Sequence, residues 1–505
     1  MTDATAPEAD LLARWTDVHA LGVASGVLGW DQETMMPAKG QAGRGATLAA
    51  LAGLAHERLT DPALTEAIDA ADAVAEPGSP LAAHVRQARR QVVRATAVPG
   101  DLTRALAGLR SRSLASWQRA RADDDLAPFA DDLAELVART GEAAQCLVDA
   151  GIAPSRYDAL LDEYEPGATE AELTRVLGEL RDQLAPLAAA AADSGVVVDE
   201  SPWQVHAADE VQDALAREVA RAQGYDLEAG RIDPAAHPFT TGFGPGDVRI
   251  TSRYEDDDLR PGLLGSMHEV GHALYEQGLP PELDGTPAGG AVSLGVHESQ
   301  SRLWENLVGR SRAFWTWATP VLARHVPATA GTDPEALWRG LHPVRPSLIR
   351  VEADEATYNL HIIARFEVER ALFDGSLDVA DVGEAWDDAY ERLLGIRPPS
   401  PADGVLQDIH WSMGAFGYFP TYTLGNLIAS QLFEAMGADL GDLDAVASSG
   451  DLAPIVGWLR DRVHRHASLV SATELVESAT GRPLSAEPLL RHLRADVEAV
   501  YGVRA

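Results

Sequence analysis

Hydrophobic residues recur at spacings of three and four over most of this 505-residue chain. The segment TEAELTRVLGELRDQL illustrates the pattern, because Thr169 and Glu172 at its start have the spacing of a helix-capping box. The apolar residues that follow fall on one face of a helix: Leu173, Val176, Leu177, Leu180 and Leu184. Similar spacing recurs around 80–145, 208–224, 354–373 and 488–501. The pattern predicts a mainly α fold.

Strict alternation of apolar and polar residues, which is typical of a half-buried strand, is rare in this sequence. The best example is DVRITSRY at 247–254, where Val248 and Ile250 alternate with polar residues. Several loops rich in Gly, Pro and Ser interrupt the helical pattern, but no segment changes composition as a linker between independent domains would. We therefore predict a single helical domain over residues 1–505 with a small β-sheet near this strand.

Composition and charge narrow the possible partners. The formal net charge of -36 disfavours a nucleic-acid partner, since binding to phosphates requires clustered Lys and Arg. No uninterrupted apolar run reaches the ~18 residues that a membrane helix needs, so we expect no membrane partner. The N-terminal stretch lacks the basic start and apolar core of a signal peptide, and the single cysteine, Cys146, cannot form an intramolecular disulfide. These features predict a cytoplasmic protein.

The segment SMHEVGHALYEQG contains two histidines four residues apart within a helical pattern. One helical turn separates His268 from His272, so their Cβ atoms lie ~5–6 Å apart and both imidazoles can reach one zinc ion. Glu269 leaves the same helix about a quarter-turn away, where it could accept a proton from water without binding the metal. The pattern predicts a zinc site with its general base.

A zinc site of this kind needs a third protein ligand. Glu276 is eight residues from His268, a rise of ~12 Å along the helix, which is too far for both to bind one ion. The segment GVHESQSRLWENLVGR offers Glu298 on a second helical pattern, with Glu305 seven residues later. Two histidines and a glutamate would leave one position of the metal open for water or substrate.

The chain resembles the carboxypeptidase Taq family of zinc metallocarboxypeptidases. The resemblance rests on motifs in order along the chain: GVLGWDQETMMP (26–37), HPFT (237–240), DVRIT (247–251), HEVGH (268–272), HESQSRLWEN (297–306), IRVEAD (349–354), GVLQDIHW (404–411) and GYFPTYTLGN (417–426). The zinc and substrate motifs are concentrated in 237–426. The resemblance implies a largely helical fold with a deep substrate groove, usually in a homodimer.

The resemblance also assigns substrate residues. A free α-carboxylate matches a planar guanidinium, and the family motif makes Arg350 the first candidate, with Arg249 as the second. Hydrolysis builds negative charge on the carbonyl oxygen, so a phenol and an imidazole can assist the metal. We expect Tyr422 to be the oxyanion donor, His410 to contact the substrate or the oxyanion, and Tyr418 to bind substrate. Either Asp354 or Asp408 could orient a ligand imidazole.

The predicted function is a metallocarboxypeptidase that removes C-terminal residues from peptides with broad specificity. Zinc is the expected metal, with cobalt as an alternative, and Glu269 is the expected base for water attack. A zinc endopeptidase or oligopeptidase would keep the same metal site but lack the carboxylate-binding arginine. An aminopeptidase would need an acidic pocket that no motif indicates, and an intact Glu269 argues against a non-catalytic scaffold.

Overall fold

The structure is a computed structural model that describes residues 6–503. It is mainly helical, as the periodicity predicts. In chain order the helices and strands are α1 Ala6–Thr34, α2 Gln41–Leu59, α3 Pro62–Asp72, α4 Pro80–Ala97, α5 Gly100–Asp123, α6 Ala127–Asp149, α7 Arg156–Tyr164, α8 Glu170–Ala192, α9 Asp209–Gln223, β1 Gly230–Pro234, β2 Thr240–Gly242, β3 Val248–Ser252, α10 Leu259–Gly278, α11 Leu294–Arg302, α12 Arg312–His325, α13 Pro334–Arg339, α14 Glu355–Asp374, α15 Val382–Leu394, α16 Pro420–Leu440, α17 Leu443–Ser449, α18 Ala453–Arg462, α19 Ala472–Thr480 and α20 Glu487–Tyr501. A π-helical segment, Leu303–Val308, follows α11 directly.

Helix α8 shows how the sequence pattern produces a helix. Its N-cap, Thr169, accepts a hydrogen bond from the Glu172 backbone N–H at 3.3 Å and so satisfies one of the donors that a helix start leaves open. The apolar stripe predicted from the spacing is buried along its whole length: Leu173, Val176, Leu177, Leu180 and Leu184. The capping residue and the buried stripe together define this helix.

The sheet has three strands in the order β1-β3-β2. The predicted strand is the central one, with β1 parallel and β2 antiparallel to it. Val248 and Ile250 of β3 are fully buried, and β3 packs against α10. Ser252 Oγ lies 2.8 Å from Ser266 Oγ on α10, so a hydrogen bond fixes the end of the strand to the helix. The sheet therefore supports the helix that carries the histidine pair.

The chain divides into two compact units that are each built from separated segments. The first contains the segment ending at Thr96, then Asp199–Leu341 and Leu432–Pro483. The second contains Ala97–Val198, His342–Gln431 and the segment beginning at Leu484. Because both units are discontinuous, no single position separates consecutive domains. A single domain over residues 1–505 stays a prediction.

Within residues 6–503, no helix combines the length and apolar character needed to cross a bilayer.

Candidate metal centre and substrate-binding residues

Two neighbouring helices of the first unit bring the predicted metal ligands together. Helix α10 carries His268 and His272, whose ring centroids are 4.9 Å apart. Glu298 belongs to α11, and its Oε2 lies 3.8 Å from His268 Nε2 and 3.4 Å from His272 Nε2. The three ligand atoms all lie within 4.8 Å of one another. A tetrahedral site with bonds of about 2.0–2.1 Å separates its ligands by about 3.3 Å, so this donor set fits one divalent cation.

The close approach of α11 to α10 depends on Gly271, which lies between the two histidines. A Cβ atom at this position would lie 2.6 Å from the Gln300 carbonyl oxygen and 2.6 Å from the Ser301 Cα atom. The absence of a side chain lets the α11 backbone lie against α10 and brings Glu298 to the imidazoles. At the C-terminal end of α10, Gly278 is the last helical residue, and a Cβ there would lie 2.3 Å from His464 Nδ1.

Both ligand imidazoles are oriented through their Nδ1 atoms. His268 Nδ1 lies 2.9 Å from Glu305 Oε2, and His272 Nδ1 lies 3.0 Å from the His297 carbonyl oxygen. Both oxygens are acceptors, so each Nδ1 carries the proton and each Nε2 keeps its lone pair for a metal. Glu305 lies in the π-helical segment, where the Gly309 N–H donates to the Trp304 carbonyl at 2.9 Å.

The expectation that Asp354 or Asp408 orients a ligand imidazole is wrong. Asp354 caps α14 by accepting hydrogen bonds from two backbone N–H groups of its first turn. Asp408 accepts hydrogen bonds from arginine side chains in the second unit. The residue that orients His268 is Glu305, seven positions after Glu298. The seven-residue spacing was visible in the sequence, but the sequence does not show that Glu305 lies in a π-helical segment.

The electrostatics of the centre favour a cation. Burial alone would raise the pKa of Glu298, but Arg302 and the two imidazoles hold it well below its usual range. Burial lowers the pKa of His272 to about 3, so this imidazole is neutral at pH 7. Burial also acts to lower the pKa of His268, but Glu298 and Glu305 raise it above its ordinary value. A divalent cation would take the place of that proton.

Glu269 lies beside the ligand set without belonging to it. Its side chain is buried, with a relative exposure of 7%. Thr240 of β2 donates a hydrogen bond from its hydroxyl to Glu269 Oε2 at 2.6 Å. Burial raises the pKa of Glu269, although His268 and the Thr240 hydroxyl partly oppose this. A buried carboxylate with a raised pKa beside a candidate metal site is suited to accept a proton and return it.

A second group of predicted residues surrounds Asp408 in the second unit. Arg350 donates to Asp408 Oδ1 from Nε at 3.1 Å and from Nη2 at 2.8 Å, while Arg365 Nε donates to Asp408 Oδ2 at 2.7 Å. Arg350 Nη1 also donates to the Tyr358 hydroxyl at 3.1 Å. Burial alone would raise the pKa of Asp408, but Arg365 and Arg350 lower it strongly. Two buried guanidinium groups thus share one carboxylate.

The predicted imidazole and phenols lie in the same unit. His410 Nε2 lies 3.4 Å from the Tyr422 hydroxyl, and the guanidinium of Arg350 lies 5.0 Å from the Tyr422 ring centroid. Tyr418 packs against His410 and Tyr422, and its ring centroid lies 5.2 Å from that of His410 and 5.4 Å from that of Tyr422. Gly417, with φ of +79°, precedes α16, so no continuous helix carries both tyrosines. Burial lowers the pKa of His410 to about 4, so it is neutral at pH 7.

Arg249, the second candidate for carboxylate binding, lies in the first unit on β3. Its Nε and Nη2 atoms each donate to Asp247 at 2.7 Å. Its guanidinium lies 4.4 Å from the Trp30 ring centroid and 5.0 Å from that of Phe243. A paired and stacked arginine has a structural use already, and a role in substrate binding stays a prediction.

Comparison with known proteins relates this architecture to characterised peptidases. The carboxypeptidase Taq (M32) metallopeptidase family matches residues 10–497. The thermostable carboxypeptidase 1 of Thermus thermophilus is 47% identical over 487 residues, which cover 94% of each protein. The crystal structure of an M32 carboxypeptidase from Deinococcus radiodurans R1 superposes with a TM-score of 0.95 at 39% identity, covering 99% of this chain and 100% of that one. The Pyrococcus furiosus carboxypeptidase structure has a TM-score of 0.95 at 36% identity, with 98% and 100% covered.

Proposed function

Because the chain belongs to the carboxypeptidase Taq (M32) family of metallopeptidases, we propose that it removes C-terminal residues from peptides with broad specificity. The observation that supports this best is the set of His268, His272 and Glu298 ligand atoms within 4.8 Å of one another, beside the buried Glu269. Zinc is the proposed metal and cobalt the alternative, since two neutral imidazoles and a carboxylate suit both. When bound, such a cation supplies a Lewis acid that polarises the scissile carbonyl and activates water.

In this proposal Glu269 moves the proton. Its carboxylate accepts a proton from the attacking water and returns it to the leaving amine. Thr240 holds the carboxylate by the 2.6 Å hydrogen bond, which limits its rotation. Glu305 and the His297 carbonyl keep the Nε2 lone pairs of the two histidines available to the metal.

Arg350 is the proposed ligand for the substrate's free α-carboxylate. Its cluster carries two guanidinium groups and one carboxylate, so a second carboxylate would bring the local charge to zero. Three of the five N–H donors of Arg350 contact Asp408 and Tyr358, which leaves donors for a further anion. Tyr422 is the proposed oxyanion donor, and His410 and Tyr418 are proposed to contact the substrate.

A zinc endopeptidase or oligopeptidase with the same metal site is the alternative function. A decisive test compares one short N-blocked peptide with a free C-terminus and the same peptide with an amidated C-terminus. We expect the free form to be cleaved at its last bond and the amidated form to be cleaved at least about tenfold more slowly, because Arg350 loses its carboxylate partner. Equal rates would favour the endopeptidase.

Metal dependence is tested on the same preparation. We expect zinc analysis to find one equivalent per chain and a chelator to abolish hydrolysis of the free peptide. A homodimer and a cytoplasmic location complete the proposal, and sedimentation of the purified chain and fractionation of cells would test them.

A further inference from the structure

Behind the ligand His272 lie two side chains that the proposed function does not use, those of His297 and Glu276. His297 Nδ1 lies 2.6 Å from His272 Nδ1, and His297 Nε2 lies 2.9 Å from Glu276 Oε1. The rings of His272 and His297 pack on each other with centroids 4.6 Å apart. A metal ligand, a second imidazole and a carboxylate therefore form a continuous row of contacts.

The protons in this row can be assigned from the acceptors. Glu276 has only acceptor oxygens when ionised, so His297 Nε2 carries the proton of that hydrogen bond. His297 Nδ1 then accepts, and the proton between the two Nδ1 atoms belongs to His272. That proton also faces the His297 carbonyl oxygen, 3.0 Å away. The assignment leaves the lone pair of His272 on Nε2, the atom that faces Glu298.

The surroundings hold this row in place. Tyr275, the residue before Glu276, packs its ring against His297, with ring centroids 5.4 Å apart. A Cβ atom on Gly242 would lie 2.9 Å from Glu276 Oε2, so the carboxylate lies closely against β2. The side chains of His297 and Glu276 are 18% and 21% exposed, so protein surrounds most of both.

We propose that His297 and Glu276 are positioning residues that set the tautomer and the basicity of His272 and so strengthen metal binding. The proposal rests on the proposed metal site. It gives the two histidines different supports: a carboxylate contacts His268 directly through Glu305, whereas His272 is linked to a carboxylate through a second imidazole. The negative charge of Glu276 makes His297 a better acceptor, which increases electron density on His272.

The test measures zinc affinity of the full chain by competition with a chromophoric chelator after metal removal. Glu276→Gln removes the charge with little change in shape, and His297→Phe keeps a ring but removes both nitrogens. The matched control is Glu282→Gln, an exposed glutamate shortly after α10. We expect each of the first two variants to weaken zinc binding by about tenfold or more and the control to leave it unchanged. The double variant should lose no more than His297→Phe alone, because the two residues act through one contact.

Two further readouts separate this role from a merely structural one. The cobalt-substituted protein should show a shifted d–d absorption spectrum in Glu276→Gln but not in Glu282→Gln, and the melting temperature of the metal-free protein should be similar in both. Wild-type zinc affinity in Glu276→Gln and His297→Phe would overturn the inference, as would a lower melting temperature with unchanged affinity. A wild-type protein that binds no zinc would instead overturn the proposed function.

Discussion

The metal centre and the Asp408 cluster are both buried sets of charges that do not cancel, and their excess charges have opposite signs. Three carboxylates, those of Glu269, Glu298 and Glu305, lie around the histidine pair, and two guanidinium groups, those of Arg302 and Arg310, pair with Glu298 and Glu305.

Around Asp408, by contrast, one carboxylate serves both Arg350 and Arg365. An uncompensated buried charge is costly, so a ligand of the opposite sign would stabilise each region. The opposite signs of the excess charge indicate that the metal centre suits a divalent cation and that the Asp408 cluster suits a carboxylate.

The largest effect is expected from Glu269→Gln, which removes a carboxylate that is not among the three proposed metal ligands. We expect turnover to fall by about 10²–10⁴-fold, because the attacking water loses its proton acceptor. Zinc content should stay at the wild-type value, since the three ligands are unchanged. Steady-state kinetics and metal analysis on the same sample check both expectations. Loss of zinc together with activity would place Glu269 among the ligands and change the charge comparison.

Arg350→Gln removes the positive excess of the Asp408 cluster. We expect kcat/KM for a peptide with a free C-terminus to fall by about 10²-fold, since a charge-assisted hydrogen-bonded pair is lost. The slow cleavage of the amidated peptide should change little. Arg249→Gln is the matched control, because Arg249 is already paired with Asp247. If Arg249→Gln caused the larger loss, the second candidate would become the carboxylate ligand.

Gly271→Ala tests how the metal centre is built. The added Cβ would meet the α11 backbone at 2.6 Å, so we expect the free energy of unfolding to fall by about 1–3 kcal/mol and zinc binding to weaken. Gly265→Ala is the control on the same helix, because its added Cβ would meet no described atom within 4 Å beyond its chain neighbours and the backbone of its own helix. Chemical denaturation of both variants measures the difference. Equal stability would show that α11 can move without cost.

The smallest effect at neutral pH is expected from His410, because its contribution to stability changes only as the pH falls. Burial lowers its pKa to about 4, below its ordinary value of 6.5, so the unfolded chain takes up this proton first as pH falls. The stabilising contribution is complete above pH 6.5 and should be lost by up to about 1.4 kcal/mol per pH unit between there and pH 4.

Unfolding free energies at several pH values check this expectation against His410→Gln, which has no imidazole. The variant should depend less on pH over this interval. Parallel curves for the two proteins would show that His410 does not contribute to the acid sensitivity.

The fold was predictable where local pattern and burial agree. Thr169 and the leucine stripe after it define α8, and the alternation of Val248 and Ile250 defines β3. The histidine pair was visible because a four-residue spacing fixes which helix face both residues share. These are short-range signals, and they do not require knowledge of which segments meet.

The parts that could not be predicted depend on contacts between distant segments. Nothing near Asp408 in the sequence indicates that it pairs with Arg350 and Arg365 instead of orienting a ligand. The use of Gly271 as a helix contact likewise requires knowing that α11 lies there. The pairing of Arg249 with Asp247 could have been predicted. Asp247 lies two residues before Arg249, and side chains two residues apart in extended chain share a face.

The π-helical segment after α11 has a consequence for which changes of chain length the site tolerates. Each i→i+5 hydrogen bond of this segment encloses one more residue than the i→i+4 hydrogen bond of an α-helix. Deleting one residue between Glu298 and Glu305 would move Glu305 one position back along the helix, a change of up to roughly 100° about the axis relative to Glu298. The carboxylate that steadies one imidazole would then point elsewhere, so insertions and deletions in this family member should be confined to stretches outside 298–305.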